Sequence, residues 1–147
     1  MIIAEISGNH GGSKKKFLNL IIQAAKKGAD LVKIQTYEPD DITIKNINFK
    51  IKKGIWRGSK LWNLYQRACT PYAWHHEAFN IAKKNKIELF STPFSIKALK
   101  FLESKKVNLY KISSFEITDL KLINEIAKTK KPIIISTGLS NVKEIQT

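Results

Sequence analysis

The sequence predicts an α/β fold, a (β/α)8 TIM barrel of which this chain supplies about the first five β/α units. Three observations predict it. Short apolar runs alternate with amphipathic stripes of helical period, the pattern of parallel strands joined by covering helices. Polar residues gather at the C-terminal ends of those runs, where such barrels form a functional mouth. No Gly-rich dinucleotide fingerprint follows the first run, because SGNHGG lacks the GxGxxG spacing. A whole barrel takes about 250 residues, so 147 residues are expected to be an N-terminal portion of one.

Each element has a local reason. Met1–Ile6, apolar except for Glu5, reads as the first, buried strand. Ser13 can cap a helix whose stripe holds Phe17, Ile21, Ala24 and Ala25, and Gly28 stops it. Leu31–Thr36 is the second strand. Thr70 and Pro71 form a cap and first-turn pair for a helix burying Trp74, Ala78, Ile81 and Ala82. The third strand is Ile87–Ser91. Ser95 opens a helix with Ala98, Leu99 and Leu102 inward. Val107–Ile112 is the fourth strand. Thr118 opens a helix carrying Leu122, Ile123, Ile126 and Ala127. Pro132–Ser136 is the fifth strand, and Asn141–Thr147 starts a further helix. Between the second strand and its next helix, Tyr37–Cys69 is too long for a plain connection, and such loops are usually functional.

Composition excludes several classes. The net charge is +14, but 24 of the 26 basic residues are Lys and they are spread along the chain. Readers of nucleic acid favour Arg for bidentate contacts, so a solvated Lys surface is the expectation. No apolar run reaches the ~18 residues of a membrane span. The N-terminus lacks a signal-peptide pattern, and one cysteine, Cys69, excludes an internal disulfide framework. A cytoplasmic setting is expected.

Several residues have the right chemistry in the right place. Lys33 and Lys111 sit inside strands, in VKI and YKI. A buried ammonium needs a partner, so each must reach the mouth or an anion. With Ser114, Ser136 and Thr137 they can cradle a phosphate or carboxylate. The alternatives are structural pairing, such as Lys33 with Glu5, or Schiff-base chemistry. Glu5 and Glu116 can hold a hydroxyl or move a proton. His75 and His76 are adjacent on a helix and diverge by about 100°, which suits surface or loop packing. His10 lies nearer the mouth. Cys69 reads as an inert thiol. In the long loop, Leu61, Leu64 and Tyr65 fit a short amphipathic helix. Trp56, Trp62 and Tyr65 are candidates for an apolar wall over the mouth.

The segments AEISGNHGG, GADLVKIQTY, FSTPF, YKISSFEITD and IISTG, in this order, resemble the sialic acid synthase family. IWRGSKLWNLYQRACTPYAWH and KISSFEITDLKLI are most like its pseudaminic acid synthase branch. NHGG stands where the family more often has NHNG. The resemblance implies condensation of phosphoenolpyruvate with an N-acetylated amino sugar, here 2,4-diacetamido-2,4,6-trideoxy-altrose, releasing phosphate. N-acetylneuraminate and legionaminate synthases are the alternatives within the family. A Schiff-base barrel aldolase or a catalytically incomplete fragment are alternatives outside it.

It also implies roles. Lys33, Thr92, Lys111, Ser114 and Ser136 would contact phosphoenolpyruvate, and Glu116 would hold the sugar. Glu5 and Gln35 would sit at the reacting centre. A divalent metal, Mn2+ or Mg2+, would be held by two histidines beyond residue 147. The rest of the barrel and a small C-terminal antifreeze-like domain would also lie outside the chain. The partner's small domain would complete the site in a swapped homodimer, so residues 1–147 alone are not expected to catalyse the reaction.

Overall fold

The computed structural model describes residues 1–45, 50–138 and 140–146. Along the chain run β1 (Ile3–Glu5), α1 (Lys14–Lys26), β2 (Leu31–Thr36), α2 (Pro39–Ile42), α3 (Leu61–Ala68), α4 (Tyr72–Lys84) and β3 (Glu88–Pro93). There follow α5 (Ile96–Ser104), β4 (Tyr110–Ile112), a 3-10 turn (Phe115–Thr118), α6 (Leu120–Ala127), β5 (Ile133–Ile135) and α7 (Val142–Gln146). The strands pair in chain order and every pair is parallel. That order is the arrangement of a barrel wall, whereas a doubly wound sheet reverses at a switch point. The expected α/β half-barrel is observed.

Period-two alternation divides the sheet. In β2, Val32, Ile34 and Thr36 are buried toward the helices, and Leu31, Lys33 and Gln35 take the other face. Register extends that second face across the sheet. Glu5 stands beside Lys33, Gln35 beside Thr92, and Lys111 beside Ile134. On the helix side, Phe17 and Ile21 of α1 and Ala78 and Ala82 of α4 pack on Val32 and Ile34. Leu99, Leu102, Leu122 and Ile126 pack with Tyr110 and Ile112. Each large apolar side chain buried this way stabilises by about 1.5–3 kcal/mol.

The caps follow the sequence in part. Ser13 and Ser95 accept from the backbone N–H of Lys16 and Ala98. Thr118 does not open α6. It lies in the 3-10 turn, and Asp119 caps instead, accepting from Leu122 N–H at 2.9 Å. Pro71, not Thr70, occupies the N-cap of α4, and the Thr70 hydroxyl is buried without a partner. The strands β1, β4 and β5 are shorter than their apolar runs. Flanking residues still bond to a neighbour, as Ile6 N–H does to the Lys33 carbonyl at 3.0 Å, but outside the ladder. The long connection holds α2 and α3, so the expected helix at Leu61–Tyr65 is present. Of the expected final helix, Thr147 lies outside the described residues.

His75 corrects the surface reading of that residue. It is fully buried on α4 against β2 and β3, with Nε2 at 2.8 Å from Thr36 Oγ1 and Nδ1 at 3.1 Å from the Pro71 carbonyl. Adjacent His76 is exposed, as expected. Burial pushes the His75 imidazole down to about 4, with backbone contacts opposing. The unfolded chain therefore binds this proton from about pH 6.5 downward, and the folded chain only near 4. Stability from this group is complete above about 6.5 and is lost as pH falls toward 4. We predict a loss of about 3 kcal/mol over that window in urea unfolding of the full-length protein. His75→Gln should flatten the slope, and an unchanged slope in the variant would contradict the assignment.

Candidate functional site

Glu5, Lys33, Gln35, Thr92 and Lys111 lie on one face of four adjacent parallel strands, with Glu5, Gln35 and Thr92 at or next to the C-terminal ends and Lys33 and Lys111 within their strands. Lys33 forms an ion pair with Glu5, so the structural pairing weighed from sequence is present. The other Glu5 oxygen accepts from Ser7, from the hydroxyl at 2.7 Å and the backbone N–H at 3.1 Å. These bonds hold Ser7 at a φ of 45°, in the left-handed region that costs a side-chain-bearing residue energy. Lys111 has no such ion pair among the described contacts. Burial lowers its pKa first and the Lys33 ammonium lowers it further, while Glu5 and Glu116 oppose. Thr92 is buried and its hydroxyl has no partner.

Beyond β4 the chain turns through Ser113, Ser114 and Glu116. Burial pushes the Glu116 carboxyl above the usual range, and Lys111 partly opposes this. Its Oε2 and the Ser113 hydroxyl are buried without hydrogen-bond partners. Both residues line a cavity of about 480 Å³ with Gln35, Tyr37, Asp41, Ile42, Tyr65, Phe94 and Phe115. Ser136 follows β5, its N–H bonded to the Ile112 carbonyl at 3.0 Å. The turn after it comes so near that a Cβ at Gly138 would stand 3.1 Å from Ser114 Oγ. Gln35 and Glu116 line this cavity with its apolar flank, and Gln35 shares its sheet face with Lys33, Thr92 and Lys111, an arrangement suited to a small anion joined to a less polar molecule.

Not every expected residue arrives there. Of the aromatic wall, Tyr65 lines the cavity, edge-on to Tyr37 at 6.1 Å. Trp62 instead donates its indole N–H to Asp40 at 2.7 Å, tying α3 to α2. Trp56 is 51% exposed in a turn and is not among the lining residues. His10 is fully buried away from the opening. The tight turn Ser7–Gly12 folds its ring edge-on between Phe17 and Trp74, and Nδ1 accepts from Gly12 N–H at 3.0 Å. The Cys69 thiol is pushed up by burial, as suits an inert group. Tyr37, Phe94 and Phe115 escaped the sequence reading as cavity residues. The available signal was their place just after strands, in TY, PF and SF. Lys111→Met in the full-length protein should move the Glu116 carboxyl further up, read from its 13C shift against pH. An unmoved Glu116 would mean that the two do not interact.

Among the described residues, no cluster of three His, Cys, Asp or Glu side chains could hold a metal. No described helix is long and apolar enough to cross a membrane. Known proteins bear on the rest. The chain is 45% identical over 146 residues to a pseudaminic acid synthase of Campylobacter jejuni, covering 98% of this chain and 43% of that protein. It is 35% identical to an N,N'-diacetyllegionaminic acid synthase of the same species, covering 99% and 44%. A solved N-acetylneuraminic acid synthetase of Leptospira borgpetersenii, in complex with citrate, superposes with a TM-score of 0.85 at 28% identity. That match covers 99% of this chain and 47% of that one. The chain thus spans less than half the length of each. Residues 20–147 match the model of the NeuB family, and the chain belongs to that family.

Proposed function

We propose that the whole protein condenses phosphoenolpyruvate with 2,4-diacetamido-2,4,6-trideoxy-altrose to give pseudaminic acid and phosphate. The rest of the barrel, a C-terminal domain and a homodimer partner belong to that whole. The single observation that carries the reading is the convergence of Lys33 and Lys111 on one face with Thr92, Gln35 and Glu5. A substrate that carries a phosphate and a carboxylate on one carbon suits two ammonium groups on one face, with directed hydroxyl donors beside them. Higher identity to the pseudaminic than to the legionaminic synthase supports the choice of sugar.

In this reading Lys33 and Lys111 hold the phosphate and carboxylate, helped by the hydroxyls of Thr92, Ser114 and Ser136. The enol C3 attacks the sugar aldehyde carbon, and positive character develops at C2. Water adds at C2, and the tetrahedral intermediate expels phosphate as the C–O bond breaks. The two lysines act by position and charge throughout. Glu116 holds the sugar, and Glu5 with Gln35 faces the reacting centre, where Glu5 can take or return a proton. The described residues do not furnish the divalent metal site that the family resemblance implies.

Lys33→Ala and Lys111→Ala in the full-length enzyme should each cost about 2–4 kcal/mol in kcat/KM, the scale of a lost preorganised contact. Parent-like turnover and phosphoenolpyruvate affinity in both folded variants would contradict the assignment. The sugar is tested by competition. The enzyme should favour the diacetamido trideoxy-altrose over N-acetylmannosamine by about 100-fold or more, the sum of two modest pocket terms. Mass analysis of the nine-carbon product decides, and predominant N-acetylneuraminate would reassign the sugar.

A further inference from the structure

Behind the anion-facing side of the sheet, buried polar groups join three elements. His75 Nδ1 is 3.1 Å from the Pro71 carbonyl, and Nε2 is 2.8 Å from Thr36 Oγ1. Thr36 Oγ1 is 2.7 Å from Ser91 Oγ, which also lies 3.2 Å from the Ile34 carbonyl. His75, Thr36 and Ser91 are all fully buried. Each proton in this chain can be placed. A carbonyl only accepts, so Nδ1 carries the hydrogen. Burial keeps the imidazole neutral at ordinary pH, which leaves Nε2 an acceptor. The one Thr36 hydroxyl proton then goes to Nε2. Its oxygen must then accept at 2.7 Å from Ser91, whose single proton takes this shorter contact over the Ile34 carbonyl at 3.2 Å. The Pro71 carbonyl therefore orders three successive donors, and no buried group of the three is left unmatched.

The ordered chain lies directly behind the site. Thr36 follows Gln35 on β2, and Ser91 precedes Thr92 on β3, so each tied residue has its neighbour on the opposite face. We infer that His75 is a positioning residue, which through Thr36 and Ser91 sets the placement of Gln35 and Thr92 at the mouth. The hydrogen-bond order stands on these contacts and on the neutral buried imidazole, and the catalytic consequence rests on the proposed phosphoenolpyruvate site. The helix α4 supplies what the β2–β3 ladder cannot, a fixed point outside the sheet for two strand ends. Without it these ends carry side chains into the opening with only backbone bonds to hold their height.

The test uses the full-length enzyme. Long-range 1H–15N correlation at pH 7 should show His75 as the neutral Nδ1–H tautomer. An Nε2–H tautomer or an imidazolium would overturn the hydrogen-bond order. Thr36→Val keeps the shape and removes the middle hydroxyl. It should lower kcat/KM for phosphoenolpyruvate by about tenfold, within the range that small misplacements cost, and weaken phosphoenolpyruvate binding in calorimetry. Thr36→Ser, which keeps the hydroxyl, should return both to within about twofold of the parent on the same scale. Parent-like values in Thr36→Val, or equal losses in Val and Ser, would overturn the positioning role. Should Thr36→Val not fold, Ser91→Ala removes the far donor and should act in the same direction, unchanged kinetics again counting against the role. A folded parent that binds no phosphoenolpyruvate would overturn the proposed function instead, while the tautomer still decides the hydrogen-bond order.

Discussion

Two ammonium groups on one face of one sheet set the electrostatic problem that the site is built around. Lys33 and Lys111 repel, and both leave bulk water to stand among apolar strands. Lys33 is relieved by Glu5, whose other oxygen is held by Ser7. Lys111 keeps burial and repulsion together and finds only the more distant carboxylates of Glu5 and Glu116 in opposition. A desolvated cation with incomplete compensation attracts an anion more strongly than a solvated one does, because the cost of its burial has already been met by the fold. The neighbouring unpartnered oxygens of Thr92, Ser113 and Glu116 are also groups that a polar ligand would satisfy.

The sheet makes this possible by giving its two faces different work. The helix side is packed with Val32, Ile34, Tyr110 and Ile112, and it stabilises the fold. The other side carries the polar side chains of Glu5, Lys33, Gln35, Thr92 and Lys111. Strict alternation links the two, since a slip of one residue in β2 would exchange Lys33 and Gln35 for Val32 and Ile34. The six-residue ladder between β2 and β3 makes such a slip costly. The buried chain of His75, Thr36 and Ser91 adds a directional tie at the end of that ladder, where backbone pairing stops.

The long connection shows a different economy. Its helices α2 and α3 flank the opening through Asp41, Ile42 and Tyr65. Trp62 fastens them to each other through Asp40, with Lys45 over its ring at 4.9 Å. Gly8 admits the end of α3 closely, since a Cβ there would stand 3.0 Å from the Ala68 Cβ. Two aromatic residues of the segment, Tyr37 and Tyr65, therefore face the cavity, and Trp62 holds the segment in shape.

Much of this was legible in the residues themselves. Parallel strands, covering helices and the rim position of Glu5, Lys33, Gln35, Thr92 and Lys111 follow from apolar period and polar placement, because alternation along a strand is a local property. The order of motifs carried the family. Two of the three histidines were not legible. His10 and His75 look alike as isolated polar residues, and only packing decides that both are buried, one between two aromatic rings and one on a hydroxyl of β2. Nor was the cap of α6, since Thr118 and Asp119 are both good candidates and the 3-10 turn consumes the first. Trp56, Trp62 and Tyr65 share a sequence character, but which one reaches the cavity depends on how the connection folds over the rim. The sequence by itself determined which residues share a strand face. Tertiary structure alone decided which polar groups find partners and which are left to meet a ligand, because partnership depends on atoms brought together from distant parts of the chain.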